Sequence, residues 1–395
     1  MMSNKTSMQR SRQLLGLVVM FFWASEYAHV PYFTPYLKML GFGASAIGIM
    51  TGTYGMTQMF VRIPLGIATD VTSGYRRVVI MGTVFTTVSS FGLIFAQSAW
   101  FIVFCRFLAG IAASTWLAFS VLYSAYYDPS EGVTAMTNIN VYNNAGKLIA
   151  FAFGTLVATL FGYRYPLVVS FVVGVIAIVL ALQLKDVPIK KEPMKVSALL
   201  ETFRNPGVLI PAGFAILLQM ITQGTVFSFT SSVAEMLGAS RLEIGINTSL
   251  FTIVQVVFGA WIGRNFVKKV SNTCAVAAGF ACFAVSCLLV GLGPNIWFLY
   301  AAQIIGGVGN IILMSLLMAM AIRTVPMKSK STAMGLFQAI YGLGMTAGPV
   351  LIGRIADMKD YTAGYLAFAA ISVAAILAAL ILVPWLERRA EKMGV

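Results

Sequence analysis

Apolar residues fall along the chain in twelve blocks, at approximately 14–37, 45–69, 78–97, 99–126, 135–161, 166–184, 207–236, 243–263, 271–292, 295–322, 331–356 and 362–386. Each block is near or above the roughly 20 residues that a helix needs to cross the hydrocarbon core of a bilayer. A helix also satisfies its own backbone hydrogen bonds where no water is available. The pattern therefore predicts twelve transmembrane helices. Most joints between blocks are a few residues long; the exception, 185–206, is polar and divides six helices from six. The opening Thr134-Ala-Met returns as Thr332-Ala-Met, and the same register pairs Gly146 with Gly344, so the repeat is close to half of the 395 residues. The expected fold is an all-α integral membrane protein built from two pseudo-symmetric six-helix bundles, 1–184 and 207–395, joined by the linker 185–206.

Composition agrees on the solvent. Hydrophobic residues make up 59% of the chain and charged residues 10%, with a mean hydropathy of +0.85, far outside the usual soluble range. The net charge of +14 does not point to nucleic acid, because the basic residues sit in short clusters between apolar runs. They act as topology signals. Of the 27 Lys and Arg, the termini, the linker and the alternate joints on their side carry far more than the opposite joints, which hold Lys38, Arg164, Arg241, Arg354 and Lys359. Both termini are thus expected on the cytoplasmic side of the inner membrane. Cys105, Cys274, Cys282 and Cys287 lie inside apolar blocks without metal-ligand spacing, which favours packing over a disulfide or a metal site. No cofactor is expected. The first apolar block is long enough to span and is expected to stay in the mature protein.

Ionisable residues at membrane depth are costly and mark candidate sites. Lys147 falls near the middle of the fifth block, with Asn140, Asn143 and Asn144 one and two turns before it. Helical spacing sets Asn140, Asn144 and Lys147 on one stripe continued by Phe151 and Gly154. The first block carries Glu26 and His29, three residues apart and so on one face; the fourth carries Arg106, and the second carries Arg62. Glu26 is the candidate proton carrier, with His29 as relay and Arg106 or Lys147 as the opposing charge. Lys147 and the asparagines are candidates for holding a polar or anionic group. In the second half the buried polar candidates are neutral, and Gln219, Gln223, Asn310, Gln338 and Tyr341 are expected to complete the substrate site.

Two six-helix halves with a central linker resemble the major facilitator superfamily, and local patterns agree. The run Gly66-Ile-Ala-Thr-Asp70-Val-Thr-Ser-Gly74-Tyr-Arg76-Arg77 resembles the family's loop signature after the second helix, with one extra residue before Gly74. The resemblance implies a cytoplasmic gate at Gly66, Asp70, Arg76 and Arg77, supported by Arg62. Arg106-Phe-Leu-Ala-Gly110 is similar to the fourth-helix pattern, and Gly162-Tyr-Arg164-Tyr-Pro166 to the entry of the sixth. Where proton-linked drug antiporters carry Gly-Pro, the first half has Ala150-Phe151, while the second has Gly348-Pro349. The family implies a secondary active transporter working by alternating access, with a small-molecule substrate, protons as coupling ion and the lipid bilayer as partners, acting as a monomer. The alternatives are a proton-linked exporter of lipophilic compounds and, from another class, a non-transporting receptor. An enzyme is not expected: one histidine and four scattered cysteines supply neither a nucleophile with its base nor a metal cluster, and no phosphate-binding loop marks an ATP-driven pump.

Overall fold

The computed structural model describes residues 2–128, 131–185, 187, 202–262, 265–266, 269–325 and 330–392. Most of the 185–206 linker lies outside the described residues. Among the described residues there is no strand, and eleven helical stretches are long and apolar enough to cross a membrane. Ala44–Thr72, 29 residues long, is a further helix. It is more polar because it carries Gln58, Arg62, Asp70 and several threonines.

Contacts divide the chain into two compact units, residues 1–32 with 60–194, and residues 33–59 with 195–395. The first unit is built from α1 (Met2–Tyr27), the later part of α3 (Ala44–Thr72), α4 (Tyr75–Phe95), α5 (Ala99–Ser114), α6 (Trp116–Ala125), α7 (Gly132–Phe161) and α8 (Tyr165–Leu182). Within it α1 packs on α7 and α8, and α4 on α5 and α8. The first expected span is two helices, because the chain breaks at Ala28 and His29 before α2 (Val30–Met39). Pro31 lacks the N–H that would continue the ladder, which accounts for the break. The expected span 99–126 is likewise divided at Thr115, whose hydroxyl donates to the Ala112 carbonyl at 2.6 Å and whose side chain fills the space beside Gly82.

The second unit contains most of α2 and the first half of α3, then α9 (Pro206–Gly224), α10 (Thr230–Met236), α11 (Arg241–Ile262), α12 (Asn272–Leu292), α13 (Ile296–Arg323), α14 (Lys330–Met358) and α15 (Tyr361–Lys392). A π-helical turn, Thr225–Phe229, joins α9 to α10, and the Thr230 hydroxyl holds it by donating to the Thr225 carbonyl at 2.9 Å. Of the polar residues on α3, Gln58 falls in the second unit, and Arg62 and Asp70 fall in the first.

Small residues set how closely the helices approach. In the first unit Gly146 and Gly154 of α7 rest on the carbonyls of Met20 in α1 and of Ala28 just past its end. In the second, Gly344 and Gly348 of α14 rest on the Ile216 and Met220 carbonyls of α9. The same helix pair in each half is closed by the same device, and Gly146 and Gly344 are the pair matched by the sequence repeat. Close backbone approach of this kind supplies the packing that lipid cannot.

The first half of α3 lies along α14 in the same manner. A side-chain carbon on Gly52 would stand 2.8 Å from the Thr346 carbonyl oxygen, and Gly48 and Gly55 press on Pro349 and Met345. At the end of this seam the Asp357 carboxylate accepts from the backbone N–H of Ala44 at 2.9 Å and of Ser45 at 2.7 Å. It thereby caps two of the donors that the first turn of α3 leaves without an intrahelical partner. Lys38 pairs with Glu235 at 3.8 Å and stands over the Tyr361 ring.

Candidate functional site

Two groups of the polar residues singled out in the first six helices lie on different faces of α1. On one side is a closed polar cluster. Glu26 and His29 are both buried, as is Arg106 from α5. Thr86 of α4 is a hydrogen-bonding neighbour of Glu26, and the Arg106 charge acts on both Glu26 and His29. His29 Nδ1 lies 3.0 Å from the Ser170 hydroxyl of α8. The Ser25 hydroxyl donates to the Ser170 carbonyl at 2.8 Å and lies 3.3 Å from that of Thr86. Glu26 Oε1 is buried without a hydrogen-bond partner. A carboxyl group with one oxygen unsatisfied in apolar surroundings depends on its proton or on the nearby guanidinium.

On the other side stands Lys147. Its Nζ lies 4.8 Å from the centre of the Tyr27 ring and 5.1 Å from that of Trp23, a geometry in which ring faces stabilise a cation. Trp116 packs against Trp23 at 5.5 Å and Phe151 against Tyr27 at 6.0 Å. Lys147, Tyr27 and Trp116 are each only partly buried. Among the described residues no carboxylate pairs with Lys147. An ion pair between Lys147 and Glu26, which the sequence left open, is therefore not formed. The reason is the seating of α7 by Gly146 and Gly154, which brings Lys147 to the Trp23–Tyr27 face of α1, whereas Glu26 turns toward α4 and α5.

The asparagine stripe grades from exposed to buried. Asn140 is exposed and returns its amide to the Met136 carbonyl at 2.8 Å. Asn144 is half-buried, and Asn143 is buried with its Oδ1 unpartnered. Phe151 is fully buried, so the stripe ends in packing.

In the second unit, Gln219 and Gln223 of α9, Asn310 of α13 and Gln338 of α14 are half-buried, and Tyr341 of α14 is buried. The Asn310 amide donates to the Thr222 hydroxyl of α9 at 3.4 Å. Tyr341 meets Phe337 edge-on at 5.7 Å. Packing of α9 on α13 and α14 gathers these five on three helices that touch one another.

At the expected gate, Leu117 lies over Gly66, and the buried Asp70 accepts from the Tyr75 hydroxyl at 2.6 Å. Arg76 donates to the carbonyls of Leu184 at 2.7 Å and Leu182 at 2.8 Å, at the end of α8. Arg77 is exposed and Arg62 buried. The basic pair thus serves a helix end and solvent, while tyrosine is a donor to Asp70.

Sequence reasoning missed Trp23, Tyr27 and Trp116, and it missed Thr86 and Ser170. Trp23 and Tyr27 carried a usable signal, since two large aromatic residues four apart share a helix face. Thr86 and Ser170 carried none, being ordinary hydroxyls in apolar helices.

Repeated membrane-spanning helices, a cation set among aromatic rings and a buried cluster of Glu26, His29 and Arg106 are features of a polytopic membrane protein. The sequence pattern of the Major Facilitator Superfamily matches residues 15–230 and 212–393, and the chain belongs to that family. Among relatives, an uncharacterized MFS-type transporter of Methanocaldococcus jannaschii is 22% identical over 339 residues, covering 83% of this chain and 86% of the relative. Multidrug resistance protein 1 of Bacillus subtilis is 26% identical over 159 residues, 40% of this chain and 41% of that protein. Among solved structures, the nucleoside transporter NupG superposes with a TM-score of 0.80 at 17% identity, covering 95% of this chain and 99% of that one.

Proposed function

We propose that the protein moves a small polar or anionic organic solute across the cytoplasmic membrane by alternating access, driven by protons. The observation that carries this reading is Lys147: a cation at membrane depth, without a carboxylate partner among the described residues, cradled by Trp23 and Tyr27. A substrate carboxylate or phosphate supplies the missing charge, and the rings offer a planar or apolar body a surface. Asn144 and Asn143 contribute amides on the same helix; Asn140 stands at its exposed end. In the second unit Gln219, Gln223, Asn310, Gln338 and Tyr341 serve as neutral hydrogen-bonding contacts to the substrate. Glu26 carries the proton, with Arg106 as its opposing charge and His29 bridging to Ser170. Both termini face the cytoplasm, Arg62, Gly66, Asp70, Arg76 and Arg77 form the cytoplasmic gate, the linker 185–206 separates the functional halves, and the protein acts as a monomer.

The test is a thermal-stability screen of the purified protein against organic acids, amino acids, sugars, nucleosides and dyes, since a ligand stabilises the state it binds. An anionic ligand is expected to stabilise the wild type; Lys147→Ala loses that stabilisation and Lys147→Arg keeps part of it. Unchanged affinity in Lys147→Ala removes the lysine from the site.

The aromatic wall around Lys147 favours a second reading, a proton-linked exporter of lipophilic compounds. Stabilisation by dyes alone, with dye resistance in an expressing strain, selects that reading over the first.

A further inference from the structure

The second unit holds a cavity that neither set of candidate site residues touches. A groove of about 760 Å³ opens among α11, α12 and α13, walled by Val254, Phe258, Trp261, Cys282, Ile304 and Val308. Trp261 is 59% exposed and Phe258 48% exposed. These are large apolar surfaces that belong against hydrocarbon rather than water. At one end the lining turns polar, with Asn265 and Lys269 in the connection after α11. Among the described residues no acidic side chain lines it.

Depth and charge identify an occupant. From Val254 to Ile262 the groove follows α11 for about 12 Å, at about 1.5 Å per residue. Half of a hydrocarbon core is about 15 Å. The apolar walls thus match one leaflet, and the polar end reaches headgroup level. Lys269 belongs to a stretch of sequence, Arg264-Asn-Phe-Val-Lys268-Lys269, that carries three cations within six residues, a pattern that draws anionic headgroups.

We infer that this groove binds one anionic glycerophospholipid, with an acyl chain laid between Phe258, Trp261, Cys282 and Val308 and the phosphate at Asn265 and Lys269. The inference rests on membrane insertion and is independent of the proposed substrate and coupling ion.

Trp261 is a built-in reporter. The full-length protein is reconstituted into phosphatidylcholine vesicles containing a small fraction of lipid brominated on its acyl chains, either phosphatidylglycerol or phosphatidylcholine. The Trp261 contribution is the difference between wild type and Trp261→Phe. Brominated phosphatidylglycerol is expected to quench it at least ~fivefold more effectively than brominated phosphatidylcholine at equal mole fraction, the preference that clustered cations give an anionic headgroup. Replacing Lys269 by Gln should bring the two lipids to parity while quenching itself persists. Equal quenching of the wild type by both lipids overturns the inference and leaves the groove as ordinary lipid-facing surface. So does relief of quenching by a lipophilic dye but not by unbrominated phosphatidylglycerol, which would assign the groove to a substrate. Native mass spectrometry of wild type and the Gln variant gives a second count: one retained phosphatidylglycerol in the former only, with retention in both or neither refuting the site.

Discussion

Replacing Asp357 by Ala should loosen the seam between the first half of α3 and α14. The carboxylate takes hydrogen bonds from two backbone N–H groups, Ala44 at 2.9 Å and Ser45 at 2.7 Å, that otherwise have no partner in the helix. Losing a capping side chain costs about 1 kcal/mol. The negative charge at a helix N-terminus adds about 0.3–1 kcal/mol at an exposed position, and Asp357 is exposed. Together these come to about 1.3–2 kcal/mol, whose lower end corresponds to roughly tenfold in the equilibrium between closed and opened seam. Hydrogen–deuterium exchange reads this directly, because the amides concerned are the ones the carboxylate covers and local opening sets their exchange. Peptides spanning 44–56 and 344–357 should exchange about tenfold faster in Asp357→Ala, with α12 unchanged as an internal control. Asp357→Asn, which keeps one acceptor and loses the charge, should fall between. Exchange indistinguishable from wild type across 44–56 would show that glycine packing holds the seam without the carboxylate.

Further outcomes follow from the same geometry. Glu26→Gln, which cannot gain or lose the proton, should abolish pH-gradient-driven movement in vesicles while ligand binding stays measurable; full gradient-driven activity would exclude Glu26 as carrier. Gly146→Leu forces a side chain against the Met20 carbonyl, an overpacking that costs about 1–3 kcal/mol; an unaltered melting temperature would mean that α7 can shift without penalty. Arg76→Gln removes two charge-assisted bonds to the last carbonyls of α8 and should lower the melting temperature by about 2–4 °C; no change would assign those contacts to the surface alone.

The sequence made the helices legible because a bilayer imposes a length on every span, and blocks such as 78–97 or 271–292 meet it with few charges. It made the repeat legible because Thr134 and Thr332 open matching segments, and Gly146 and Gly344 do equivalent work in the structure. What stayed hidden was the direction in which a residue faces. Glu26 and Lys147 look like natural partners on a helical wheel, but the wheel leaves open how far α7 is rotated against α1. That rotation is set by glycines pressed on specific carbonyls, a contact between segments more than a hundred residues apart. Asp357 was overlooked for a related reason. Its partners are backbone N–H groups 313 and 312 positions earlier, and backbone leaves no trace in the letters of a sequence.

The first spanning helix of each repeat is interrupted, at Ala28–His29 in one and at Thr225–Phe229 in the other, and these places correspond in the repeat register. The means differ: a proline that withholds a donor in the first, a widened turn held by threonine in the second. The two halves share the irregularity and differ in the chemistry that makes it, so a comparison of one half with the other should match backbone shape at these points before it matches side chains.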